Sequence, residues 1–160
     1  MNTVKIIPAE EKHLPEVAEI AIAAWTPIRE EFRRILGDDI YLSQFTDWQQ
    51  KKVASVSKQL LSGNGYVAID NGKVLGFISY CIYEETKTGE ILANAVSADA
   101  RGMGIGSMMY DFVQKKMRDH GAEFVTVHTG LDDAHAPARR AYERAGFSAS
   151  LPSVQYYKKL

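Results

Sequence analysis

The stretch "DARGMGIGSMM", Asp99 to Met109, decides how this chain is read. Gly102, Gly104 and Gly106 alternate with Met103 and Ile105, directly after Arg101 and directly before a helical pattern. Glycine carries a backbone-entropy cost, so its repetition asks for a physical reason. The first turn of a helix exposes N–H groups that have no intrahelical partner. Aligned peptide dipoles add partial positive charge at the same end. Glycines let those groups approach an anion without a Cβ in the way. Arg101 contributes a full charge and a forked donor. The stretch therefore reads as a diphosphate cradle, with Met103 and Ile105 turned inward as anchors. A plain flexible turn between strand and helix is the alternative.

Two familiar phosphate loops are excluded. The dinucleotide-binding pattern wants a third glycine three residues after its second. Gly102 and Gly104 would place it at Ser107, and the stretch comes after a hairpin instead of opening the first strand–helix–strand unit. The P-loop needs Gly-Lys-Ser/Thr, which does not occur. What remains is Arg-x-x-Gly-x-Gly: Arg101, Gly104 and Gly106, with the Ser107 hydroxyl available to a phosphate.

Working outward, Glu90 to Ser97 reads as the strand that feeds the cradle. Upstream, "YVAID" and "KVLGFISYCIY" flank Asn71-Gly72, a strong hairpin signal. Downstream, Ile105, Met109, Phe112, Val113 and Met117 repeat at helical spacing up to a cap at Gly121. "EFVTVHT" alternates as a strand. "DDAHAPARRAYERAGF" reads as a helix that ends before Gly146, and "VQYYKKL" as a last strand. At the other end, Val4 to Ile7 predicts a strand, with a helix after it from near Glu10 to about Trp25. Pro27 is expected to interrupt it. Two more helical stretches come next, the first broken at Gly37 to Asp39, the second from about Ser43 to Leu61. The order predicts an α/β (mixed α+β) fold. Its central sheet is mixed and mostly antiparallel, with one parallel strand–helix–strand unit and helices on both faces.

The 160 residues suit a single domain spanning 1–160. A net charge of -1 gives no electrostatic support for a nucleic-acid or membrane partner. The lone Cys81 excludes an internal disulfide framework and reads as a small apolar strand residue. No stretch approaches the roughly 20 apolar residues of a membrane span, and the N-terminus lacks a signal-peptide core. A cytoplasmic protein is the expectation.

The stretch "NAVSADARGMGIG" resembles the acetyl-CoA signature of the GNAT superfamily of N-acetyltransferases. "HAPARRAYERAGF" resembles that family's late helix, with Tyr142 four residues before Gly146-Phe147. "IIPAEEKHLPEVAEI" is similar to its first strand and helix. The resemblance implies a fold of the acyl-CoA N-acyltransferase type, acetyl-CoA as cosubstrate and no metal. It implies a small-molecule or peptide amine as acceptor, and many relatives are homodimers. It also implies that Arg101, Gly102, Met103, Gly104, Ile105, Gly106 and Ser107 hold the pyrophosphate. The backbone of Asn94, Ala95 and Val96, on a strand that splays from its parallel neighbour, would then meet the pantetheine and thioester. Two positions depart from the pattern. His135 stands where the family has an asparagine that contacts the pantetheine arm. Asn94 stands where an apolar residue is usual.

Transfer of an acetyl group to an alkylamine, whose pKa is about 10.4, requires a proton acceptor, an oxyanion donor and a proton for the thiolate. By the resemblance Tyr142 is the acid; its alternative is a core aromatic. Glu90 is the candidate base, on Asn94's side of the strand if the alternation is regular; its alternative is a solvated charge. His128 is a second base candidate. Arg139 and Arg140 either reach outer phosphates or form a solvated helix face, and Tyr156 and Tyr157 read as strand packing. In the family the early helices form the acceptor site. Here they carry Glu30, Glu31, Asp38 and Asp39, which either attract a cationic amine, with Trp25 and Tyr41 stacking on it, or are simply solvated helix faces. A non-catalytic acyl-CoA sensor or interaction module of the same fold, and a nucleotide-binding domain, are the rival readings.

Overall fold

The computed structural model describes residues 3–160. Five strands form one sheet in the order β1-β2-β3-β4-β5: Lys5–Pro8, Gly65–Asp70, Lys73–Tyr83, Thr88–Val96 and Phe124–Val127. The first four pair antiparallel and β4 pairs parallel to β5, as the order of elements predicts. The β2–β3 hairpin turns at Asn71 and Gly72, both with positive φ (47° and 82°), the geometry that Asn-Gly supplies at low steric cost.

Helices cover both faces. α1 (Leu14–Leu36) and α3 (Trp48–Leu60) lie on one, joined by α2 (Asp38–Phe45). There Val17, Ala21, Val56 and Leu60 bury against Val67, Val74 and Phe77. α4 (Ile105–Asp119), the parallel crossover, and α5 (Ala136–Arg144) cover the other. On that side Ile105, Met109, Val113 and Tyr142 pack against Ile78, Tyr80 and Ile91. Burying these apolar side chains, at about 1.5–3 kcal/mol each, drives both layers onto the sheet.

The structure corrects three expectations. Pro27 does not interrupt α1, which runs unbroken from Leu14 to Leu36. Pro27 is exposed, as is Ala23, the residue whose carbonyl its missing N–H would have reached, so the lost helical bond lies on the outer face of α1 and not against the core. Thr26 Oγ1 also ties this turn down by donating to Ile22 O at 2.7 Å. The third helical stretch is two helices, α2 and α3, split at residues 46–47. The segment "VQYYKKL" forms no strand. Val154 and Tyr156 remain 73% and 91% exposed, so no neighbouring ladder or buried face orders this segment as a strand.

Candidate active site

The ladder between β4 and β5 is short. It runs from Thr88 opposite Phe124 to Ile91 opposite Val127 and then stops. Next to that end the β3–β4 register slips: Ser79 faces Ala93 and Tyr80 faces Ile91, leaving Leu92 as an extra, unpaired residue. Such a bulge bends a strand and re-aims the residues beyond it. Past Leu92, β4 has a ladder partner on its β3 side alone among the described residues, so its other edge is open, a cleft beside the end of β5 where the family resemblance implies a splay.

The bulge also resets the alternation. Ile91, Asn94 and Val96 now turn to the α4–α5 face, while Ala93 and Ala95 turn to the α1–α3 face. Glu90 precedes the bulge and shares Cys81's face, so it lies on the side opposite Asn94. The expectation that Glu90 and Asn94 share a face is therefore incorrect. Backbone groups obey the same logic. Ser97 N–H donates to Leu75 O of β3 at 2.8 Å. By alternation the Ala95 amide also points to β3, and the Asn94 and Val96 amides point into the cleft.

Across the cleft mouth sits the glycine stretch. Gly102 and Gly104 both have φ 78°, the left-handed region that favours glycine. Gly104 is the N-cap of α4. The amides of Gly102, Gly104, Ile105, Gly106 and Ser107 make no backbone hydrogen bond among the described residues. A Cβ at Gly102 or Gly104 would meet no protein atom within 4 Å, so the space beside these two glycines is open. Ile105 anchors the turn at 1% exposure, but Met103 is 57% exposed and anchors nothing. At φ 78° on either side of it, the chain turns Met103 outward. Arg101 is exposed and forms no ion pair among the described residues. Asp99 pairs with Lys73 at 3.3 Å.

Tyr142 comes from α5 and is 9% exposed. Asn94 Nδ2 donates to its hydroxyl at 3.1 Å, and Tyr110 of α4 donates its own hydroxyl to Asn94 Oδ1 at 2.9 Å. The Tyr110 and Tyr142 rings pack 5.7 Å apart. The chain of donors runs one way, so the Tyr142 hydrogen is left free to donate outward. Burial pushes the Tyr142 phenol above its ordinary pKa, and the hydrogen bond it accepts from Asn94 pulls it part of the way back. It is a protonated donor at neutral pH. The polar departure at position 94 thus serves Tyr142 with its side chain and the cleft with its amide. Tyr110 is the residue that the sequence does not single out; an asparagine facing an apolar helix stripe is its one signal.

His135 precedes α5. Its Nδ1–H donates to Asp132 Oδ2 at 2.6 Å, both side chains being nearly buried. That bond fixes the tautomer and leaves Nε2 with its lone pair for a ligand. Arg139 reaches no outer site. Its guanidinium donates to the carbonyls of Gly130 and Asp132 at 2.6 and 2.8 Å, clamping the loop that carries His135. Arg140 and His128 are exposed. Glu90 Oε2 accepts the Tyr83 hydroxyl at 2.7 Å. Of the acidic residues in the early helices, Glu31 pairs with Arg34, Asp38 with Arg33 and Asp39 with Lys159. These carboxylates are already neutralised.

The cleft fits the pantetheine and diphosphate of a coenzyme A. It offers bare amides on β4, bare amides at the head of α4, and two buried hydroxyls, Ser97 Oγ and Thr129 Oγ1, that have no partner among the described residues. No helix among the described residues is long and apolar enough to cross a membrane.

Comparison with known proteins agrees. The chain is 25% identical over 152 residues to a mycothiol acetyltransferase of Stackebrandtia nassauensis, covering 89% of this chain and 49% of that protein. It spans about half the length of the curated relatives it matches. The fold is that of the PaiA N-acetyltransferase of Thermoplasma acidophilum solved with coenzyme A, with a TM-score of 0.69 and 15% identity over 92% of this chain and 91% of that one. An aminoglycoside N-acetyltransferase solved with CoA gives 0.66 at 14% identity, over 98% and 95%. The sequence profile of the acetyltransferase (GNAT) family matches residues 25–147, and the chain belongs to that family.

Proposed function

We propose that this site transfers an acetyl group from acetyl-CoA to a primary amine by direct attack in a ternary complex. One observation carries the reading. The bare amides of residues 102 and 104–107 share a cleft with the open edge of β4, and a protonated tyrosine is hydrogen-bonded to that same strand.

Each part has a chemical task. The amides heading α4, with Arg101, hold the diphosphate. The Asn94 and Val96 amides point where a thioester oxygen gains charge, so they serve as oxyanion donors. His135 Nε2 accepts from an amide of the pantetheine arm. The thioester of acetyl-CoA supplies the activated acetyl group. Tyr142 gives its proton to the leaving sulfur and is reset from solvent.

An alkylamine arrives protonated at neutral pH. Glu90 lies on the α1 face, the side of the early helices, and its Oε1 makes no hydrogen bond among the described residues. We assign it the proton from the amine. Acid and base then occupy opposite faces of β4 and cannot neutralise each other. The relatives' names point to small-molecule amines as the acceptor class, mycothiol and aminoglycoside acetyltransferases among them.

Calorimetric titration with coenzyme A, and then thiol release from acetyl-CoA with a panel of amines, tests the reading. Tyr142→Phe is expected to lower kcat by at least about a hundredfold with less than a twofold change in coenzyme affinity. Coenzyme binding with no thiol release for any amine would favour a non-catalytic acyl-CoA sensor. Absence of binding would end both readings.

A further inference from the structure

A cavity of about 190 Å³ opens between α1, α2 and α3. It exceeds the roughly 150 Å³ that admits a benzene. Arg29, Phe45, Trp48, Lys51 and Lys52 line it. The Arg29 guanidinium lies 5.4 Å from the Phe32 ring centre, 4.8 Å from Phe45 and 5.7 Å from Trp48. Lys52 Nζ lies 4.1 Å above Trp25. Aromatic faces attract cations, but they do not neutralise them.

The counter-charge is missing. The neighbouring Arg33 and Arg34 each hold a carboxylate. Arg29, Lys51 and Lys52 hold none among the described residues. Arg29 Nε is buried and bonded to nothing. Burial lowers the pKa of Arg29 and of Lys52, and Arg29's charge lowers Lys52 further. Half-buried like charges without a counter-ion are costly, and a bound anion offsets that cost. Phe32, whose ring centre lies 5.4 Å from the Arg29 guanidinium, also lies 6.2 Å from the His135 ring, so the cavity's arginine and the histidine assigned to the pantetheine arm share one aromatic neighbour.

We propose that this cavity holds the carboxylate of the acetyl acceptor, with Arg29 as its principal partner and Lys51 and Lys52 beside it. The inference rests on the acetyl-transfer reading for the word acceptor, but the anion site stands on its own geometry. Arg29's fork suits a carboxylate bidentately. The acceptor class is then an amino acid or short peptide with a free carboxylate. A polycationic amine is repelled by the same three charges.

Trp25 and Trp48 are the chain's two tryptophans and both touch this cationic cluster, so intrinsic fluorescence reads the cavity directly. The test titrates the full chain with the twenty N-acetyl amino acids and their carboxamides, with no acetyl-CoA present. At least one acid is expected to bind about tenfold or more tighter than its amide. Arg29→Met is expected to remove that preference and leave amide binding and coenzyme affinity unchanged. Should Arg29→Met fail to fold, the double variant Lys51→Ala/Lys52→Ala is expected to reduce the preference severalfold. No acid–amide preference in any pair overturns the inference, as does a preference that survives Arg29→Met.

Thiol release with the free amino acids and their amides separates the two claims. Acid-selective binding without turnover keeps the anion site and retires acetyl transfer. Turnover that is equal for acids and amides, with no selective binding, does the reverse.

Discussion

Asn94→Leu isolates the polar link between β4 and the two tyrosines. Leucine nearly matches asparagine in shape but removes the Nδ2 donor to Tyr142, at 3.1 Å, and the Oδ1 acceptor for Tyr110, at 2.9 Å. Tyr110 and Tyr142 are 6% and 9% exposed, so water replaces neither bond well. Each buried hydroxyl left unpaired costs about 1–3 kcal/mol. The added apolar burial returns roughly 1 kcal/mol. With two hydroxyls affected, the net loss is about 3 kcal/mol, or a fall in Tm of roughly 6–12 °C for a chain of this size. Catalysis should suffer separately. With Asn94 gone, Tyr142 loses the donor that aims its hydrogen outward, and kcat is expected to fall about tenfold, a part of what the acid as a whole contributes. The sign of the pH effect comes from the same bond. Asn94's donor helps hold the phenol's pKa down against burial, so its removal lets that pKa rise. The alkaline limb of the rate profile, where the acid loses its proton, moves to higher pH. Thermal melting and steady-state thiol release across the alkaline range read all three effects. A variant with wild-type Tm, turnover and alkaline limb would show that Asn94 does not hold the two tyrosines.

Gly104→Val places a branched residue at φ 78° in open space facing the bare amides; coenzyme affinity by calorimetry should fall at least about tenfold, since strain of about 1–3 kcal/mol and lost access add. Glu90→Gln keeps the Tyr83 contact in shape but removes the base, so kcat should fall about a hundredfold at neutral pH, with partial recovery for acceptors of low amine pKa; unchanged turnover removes Glu90 from the role. Burial holds the Tyr80 pKa up at about 12 and raises those of Tyr110 and Tyr142. Folded pKa values above unfolded ones give stability that is complete below the unfolded value and lost as pH rises through the folded one. Denaturant midpoints should therefore hold steady up to about pH 10 and decline beyond it; a flat profile to pH 12 would contradict the burial argument.

How much of the fold and the site is legible in the sequence depends on whether a feature is local. Asn71-Gly72 and the Gly102–Gly104 turn are local backbone demands, and both appear where the residues place them. The bulge at Leu92 is not local. "EILANAV" alternates as a string of letters, and only pairing with β3 shows that one residue is surplus. Glu90's face is misread from sequence for that reason. Pro27 reads as a break because a sequence does not show that Pro27 and Ala23 lie on the exposed face of α1. Glu31, Asp38 and Asp39 look like an amine trap until packing brings Arg34, Arg33 and Lys159 onto them, while Glu30 stays exposed without an ion pair among the described residues. Arg29 looks like one more surface arginine until three rings close around it. The final segment is no strand because strandedness belongs to a ladder, and "VQYYKKL" has no neighbour to supply one.

Acetyl transfer at this site depends on the bare amides heading α4 gripping the diphosphate of coenzyme A. Amide NMR of the uniformly labelled protein, titrated with coenzyme A, addresses it residue by residue. The resonances of Gly102, Gly104, Ile105, Gly106 and Ser107 are expected to shift together and saturate with the calorimetric affinity. Saturated binding that leaves those five in place while resonances elsewhere move would contradict it.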